Sequence, residues 1–119
     1  MTTGLPHIAV VGLLGPEWFG RGAERAVREA DVIIGAARLL DGLPGDVAGK
    51  RVELAGPLTE TLGLAAERRL QGERVCILAS GDPGFFGIVR LLSARFGREG
   101  LEVHPAPSSV AVAFARAGL

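Results

Sequence analysis

An unbroken apolar run from Val75 to Ala79 is followed at once by Ser80-Gly81 and then by Asp82-Pro83. The run has the length and branched side chains of a strand buried on both faces. Asp82-Pro83 reads as the start of a helix. The Asp carboxylate accepts free backbone N–H groups, and Pro is preset for the first helical position and needs no donor. Ile88, Leu91, Leu92 and Phe96 then recur at helical spacing, and Gly97 is placed to cap the C-terminus. A strand, a glycine turn and a helix in this order confine the chain to an α/β fold.

The same alternation runs through the chain. Ile8–Val11 is a first strand, and Ala23, Ala26, Val27 and Ala30 recur with helical period after it. Val32–Ile34 is a second strand. Arg51–Leu54 is a third, after a loop rich in Gly, Pro and Asp from Asp41 to Gly49. Thr59 or Thr61 caps a helix with Leu62, Ala65, Ala66 and Leu70 on its apolar face, ended by Gly72. Leu101–His104 is the fifth strand. A last helix starts near Ser109 and turns Val110, Ala113, Phe114 and Ala117 inward. Strands separated by helices predict parallel pairing through right-handed crossovers, with helices on both faces of the sheet. Residues 1–119 read as one domain, and the 48% of apolar residues suffice for a core.

Charge narrows the function. Thirteen basic residues balance 13 acidic ones, with no basic block, which disfavours a nucleic-acid surface. No apolar run approaches the roughly 20 residues that span a bilayer, and no signal peptide is evident. The lone Cys76 forms no internal disulfide, which suits a reducing, cytoplasmic setting. Inside a strand pattern it is a small buried hydrophobe. His7 and His104 are isolated, and no His/Cys/Asp/Glu set has metal-ligand spacing, so no metal is expected.

The remaining candidates are turn residues. Gly12 follows the first strand, where a backbone turns sharply or lets a ligand approach. A dinucleotide fingerprint fails there, because Leu14 stands where a second glycine is needed and Gly35-Ala36 replaces an acidic residue after the second strand. Asp82 serves as a helix cap or as a ligand contact, and a helix terminus permits both. Ser108 or Ser109 caps the last helix. Trp18 and Phe19 suit stacking on a flat substrate or packing beneath their loop. Arg21, Arg25, Arg28 and Arg38 are solvated or meet substrate carboxylates.

Ser80-Gly81-Asp82-Pro83-Gly84-Phe85-Phe86-Gly87 and Pro105-Ala106-Pro107-Ser108-Ser109-Val110 together resemble the tetrapyrrole (corrin/porphyrin) methylase superfamily. The opening segment Ile8–Gly15 and the later Asp31–Leu40 fit the same pattern, in the same order. Within the superfamily the resemblance is strongest to the enzymes that methylate C5 in corrin biosynthesis. The resemblance implies a five-stranded parallel sheet in the order three-two-four-one-five. It implies S-adenosyl-L-methionine as cosubstrate, bound by Gly12, Ser80, Gly81, Asp82, Phe85, Ser108 and Ser109. Leu14 departs from the glycine-rich first loop of the superfamily. The implied acceptor is C5 of a precorrin tetrapyrrole in cobalamin biosynthesis. The implied assembly is a homodimer of two-domain protomers, of which this chain is the N-terminal half, with a possible C15-methylating and decarboxylating partner domain or subunit.

Other readings stay open on the sequence. Superfamily members with other acceptors, a diphthamide precursor or ribosomal RNA, share similar first and fourth strands. A non-catalytic nucleotide- or anion-binding module would use only the helix N-termini. A structural or oligomerisation domain would use neither.

Overall fold

The computed structural model describes residues 5–13, 20–54, 56–80 and 84–105, without the side chains of residues 84–86. The elements are β1 (Ile8–Leu13), α1 (Arg21–Glu29), β2 (Val32–Gly35), α2 (Ala37–Asp41), β3 (Lys50–Glu53), α3 (Leu58–Leu70), β4 (Val75–Ser80), α4 (Gly84–Phe96) and β5 (Leu101–His104). The strands form one five-stranded sheet in the order β3-β2-β4-β1-β5. Every neighbouring pair is parallel. This is the predicted fold and strand order.

Period-two alternation sorts the central strands onto two faces. Ala9, Val11, Ile33, Cys76 and Leu78 pack with Ala23 and Val27 of α1 and Leu39 and Leu40 of α2. Ile8, Val10, Val32, Ile34, Val75, Ile77 and Ala79 pack with Ala65 of α3 and Leu92 of α4. Both faces are covered, so every residue of β1 and nearly every residue of β4 is buried. Each fully buried aliphatic side chain contributes roughly 1.5–3 kcal/mol of transfer free energy. The edge strand β3, Lys-Arg-Val-Glu, leaves three of its four residues exposed, and such charged edges resist pairing with another sheet.

Glycine ends two of the helices. Gly72 has φ +84° and Gly97 φ +76°. After α3, the Gly72 N–H donates to the Arg69 carbonyl at 2.9 Å and the Glu73 N–H to the Arg68 carbonyl at 3.1 Å. This pair of bonds is the Schellman closure.

Four expectations need correction. Gly12 does not follow β1 but lies inside it, because pairing with β4 extends the ladder to Leu13 opposite Ser80. Leu70 is 72% exposed. It lies about 140° around α3 from Ala65, on the far side from the sheet. Leu91 is 43% exposed because Ile88, Leu92 and Phe96 occupy the inward stripe of α4. Neither Thr59 nor Thr61 caps α3, which begins at Leu58 after Pro57 with no side-chain cap, and Thr61 is buried one turn inside. The helix expected from Ser109, together with Trp18, Phe19 and the Asp82-Pro83 helix start, lies outside the described residues.

Candidate functional site

The connections out of the strands define one special edge. The helices that follow β1 and β2, α1 and α2, lie on one face, whereas α4, which follows β4, lies on the other. The carboxyl end of β4 is therefore flanked by strands whose chains leave in the opposite direction. Open α/β sheets bind ligands in the crevice at such a switch point.

Small residues stand along this edge and let the chain pack closely there. Gly12 pairs with Ala79 and Leu13 with Ser80. Gly35 ends β2, and a Cβ added there would lie 3.1 Å from Cβ of Leu78. Its carbonyl accepts the Leu54 N–H at 2.7 Å, which holds the exit of β3 beside it. Immediately after Gly35 the chain turns at Ala36, whose carbonyl accepts the N–H groups of Leu39 and Leu40 at 2.9 and 3.1 Å. This starts α2 and brings Arg38 over the end of β4. There Nη2 of Arg38 donates to Oγ of Ser80 at 2.7 Å. Ala36, Leu39, Leu54, Ala79 and Ile88 complete a small, mainly apolar cleft of about 130 Å³ around these two polar groups.

The sequence-selected residues divide clearly. Gly12 and Ser80 stand on adjacent strands at this edge. Phe85 lies in the first turn of α4, which starts from the same edge, but its side chain is not described. Gly81, Asp82, Ser108 and Ser109 lie outside the described residues. Arg38 reaches the edge, whereas Arg28 ion-pairs with Glu24 and Asp46 at 3.0 and 2.9 Å on the surface. Arg21 and Arg25 are exposed on α1. The helix α2 was not legible in the residues around it. Its only signal is the Leu39-Leu40 pair, buried one turn after Gly35.

A larger concavity, about 550 Å³, runs along α1 beside β1 and β5. It is lined by Arg25, Glu29, Arg74, Glu102 and His104, among others, and so carries both signs of charge. Arg74 pairs there with Glu29, and His104 with Glu102. It lies away from the switch point, and four of these five side chains are paired with one another. Among the described residues, no three potential metal ligands come together. No described helix is long and apolar enough to cross a membrane.

Cys76 is fully buried in β4, and burial, with a smaller contribution from Glu102, pushes its thiol up to about 12. It is a packing residue, as its sequence context predicts.

Comparison with known proteins bears on the family and the fold. The model of the family Tetrapyrrole (Corrin/Porphyrin) Methylases matches residues 7–119. A precorrin-6Y C(5,15)-methyltransferase of Sinorhizobium is 34% identical over 115 residues, covering 95% of this chain and 27% of that protein. A cobalt-precorrin-7 C(5)-methyltransferase of Salmonella typhimurium is 35% identical over 114 residues, covering 94% and 55%. A protein of Methanothermobacter thermautotrophicus named as a probable cobalt-factor III C(17)-methyltransferase is 33% identical over 100 residues, covering 82% and 28%. The crystal structure of a cobalt precorrin-4 methyltransferase shares the fold at a TM-score of 0.70 and 24% identity, covering 94% of this chain and 50% of that one. The chain thus spans between about a quarter and about half the length of the proteins it matches. With the family pattern matched from residue 7 to residue 119 on the expected five-stranded parallel sheet, the chain belongs to the tetrapyrrole methylases.

Proposed function

We propose that this chain is the donor-binding N-terminal half of a two-domain, S-adenosyl-L-methionine-dependent C-methyltransferase that methylates C5 of a precorrin in cobalamin biosynthesis. One coincidence carries the reading. The crevice at the carboxyl end of β4 belongs to a chain about a third identical to two proteins named for C5 methylation.

The cleft suits one part of such a donor. Its apolar walls accept a nucleoside or thioether body, and Ser80 and Arg38 supply polar contacts at the rim. At about 130 Å³ it is smaller than the roughly 300–1,000 Å³ of complete small-molecule pockets. A second wall from outside this chain completes it. The bound donor supplies a methyl already activated by a sulfonium, so the chain need provide no covalent nucleophile; S-adenosylhomocysteine is the leaving group, and the proton displaced at C5 passes to a base or to solvent. Its task is to orient the donor and exclude water, worth roughly 7–11 kcal/mol in ideal cases. Gly12, Ser80, Gly81, Asp82, Phe85, Ser108 and Ser109 form the donor-side set. A homodimer, a cytoplasmic location and a C15-methylating and decarboxylating partner accompany this reading.

The test is a single-turnover reaction of the full-length protein with a ring-contracted precorrin and a ¹³C-methyl donor, read by NMR of the product. Label at C5 is the expected outcome. Label at C17, the position in one relative's name, would reassign the acceptor. No transfer to any tetrapyrrole, with or without cobalt, would overturn the reading.

A further inference from the structure

We infer that Arg38, with the hydroxyl of Ser80, is a carboxylate anchor at the rim of the donor cleft. This rests on the methyltransferase reading above and adds a ligand-positioning residue to it.

Arg38 is an exposed residue held in a defined place, with Nη2 2.7 Å from Oγ of Ser80. It has no acidic partner among the described residues. Arg28, Arg68 and Arg74 each have one at 3.3 Å or less. A guanidinium has five N–H donors in a planar fork, and the bond to Ser80 uses one. Ser80 accepts that bond, so its own O–H proton is available to a ligand. Both groups line the same apolar cleft. A positive fork and a hydroxyl donor, side by side and without a carboxylate among the described residues, match the two oxygens of a ligand carboxylate. An apolar floor strengthens the attraction by limiting solvent screening.

Two ligands of the proposed reaction carry carboxylates: the amino-acid end of the methyl donor, and the acetate and propionate arms of a tetrapyrrole. Calorimetry and steady-state kinetics on full-length wild type, Arg38→Gln and Arg38→Lys separate them. The probes are S-adenosylhomocysteine, its decarboxylated analogue (which keeps the amine), and the tetrapyrrole substrate. If Arg38 holds the donor, Arg38→Gln weakens S-adenosylhomocysteine by roughly 10- to 100-fold, leaves the decarboxylated analogue within twofold, and is partly rescued by Lys. If it holds the acceptor, the tetrapyrrole KM rises by a similar factor while S-adenosylhomocysteine affinity is unchanged. A purely structural arginine would lower the melting temperature without separating the two donor analogues. That result, or affinities and KM all within twofold of wild type, would overturn the anchor alone. Wild-type protein that binds no S-adenosylhomocysteine would overturn the methyltransferase reading and the anchor with it.

Discussion

The two ends of β4 are each crossed by an arginine, and the two arginines find different partners. At the amino end, Nη1 of Arg74 meets Glu29 at 2.8 Å, and its backbone N–H donates to the Asp31 carboxylate at 2.8 Å. Its carbonyl accepts the N–H groups of Asp31 and Val32 at 2.8 and 3.1 Å. There Arg74 and Glu29 answer each other's charge, and the Asp31 carboxylate is held by a backbone donor. At the carboxyl end, among the described residues, Arg38 meets only the neutral hydroxyl of Ser80. The amino end thus closes the link between β2 and β4, and at the carboxyl end the described residues offer Arg38 no carboxylate. In parallel sheets this asymmetry separates a stabilising edge from a functional one.

The largest expected effect concerns the strand that both ends share. Leu78 is 1% exposed and touches the space beside Gly35. Leu78→Ala should cost roughly 2–5 kcal/mol in denaturant unfolding, through lost transfer energy and a cavity. A loss below about 1 kcal/mol would mean that β4 is not the scaffold holding the two ends apart.

Alkaline pH probes the dryness of the same strand. The Cys76 thiol is raised from its ordinary 9.0 to about 12, so the folded chain keeps a proton that the unfolded chain releases. Its contribution to stability is complete below pH 9 and is lost as pH rises from 9 towards 12, by at most about 1.4 kcal/mol per pH unit. Cys76→Ala should flatten the decline of stability in that window. An equal slope in both proteins, or rapid labelling of native Cys76 by a thiol reagent at pH 8, would show that β4 is wetter than its burial indicates.

The two ends themselves should respond in opposite ways. Asp31→Ala removes the acceptor of the Arg74 N–H. It should cost about 1 kcal/mol, below the range for a buried charged hydrogen bond because the site is exposed, and leave donor affinity unchanged. Arg38→Gln should change stability by less than about 0.5 kcal/mol, as expected of a surface substitution, while altering ligand affinity. Thermal melts and donor titration on the same samples test both. A destabilised Arg38→Gln with normal affinity would make the two ends alike.

Much of this architecture was legible in the residues. The run Val75–Ala79 could only be a strand covered on both faces, and Gly72 and Gly97 ended their helices where placed. The third strand, expected over Arg51–Leu54, runs over Lys50–Glu53, because its bounds are set by hydrogen bonding to β2 more than by burial. Helix α2 is not legible in the sequence because five residues carry too little periodicity to outweigh the glycine before it and the loop after it. Gly12 looked like a turn because glycine ordinarily punctuates strands. Beside β4 it simply continues the ladder.

The order of residues along the chain determined what each segment was: apolar runs as buried strands, helical periods as covering layers, glycines as stops. Those properties depend on neighbours within a few positions, where periodicity and backbone preference act. The strand order came from a resemblance of motifs, since periodicity does not say which strands adjoin. Only the tertiary structure decided that α1 and α2 leave one face of the sheet and α4 the other, opening a crevice beside β4. It alone brought Arg38 against Ser80, 42 positions away in the chain. Such a contact depends on how crossovers stack against the sheet, and no local pattern encodes it.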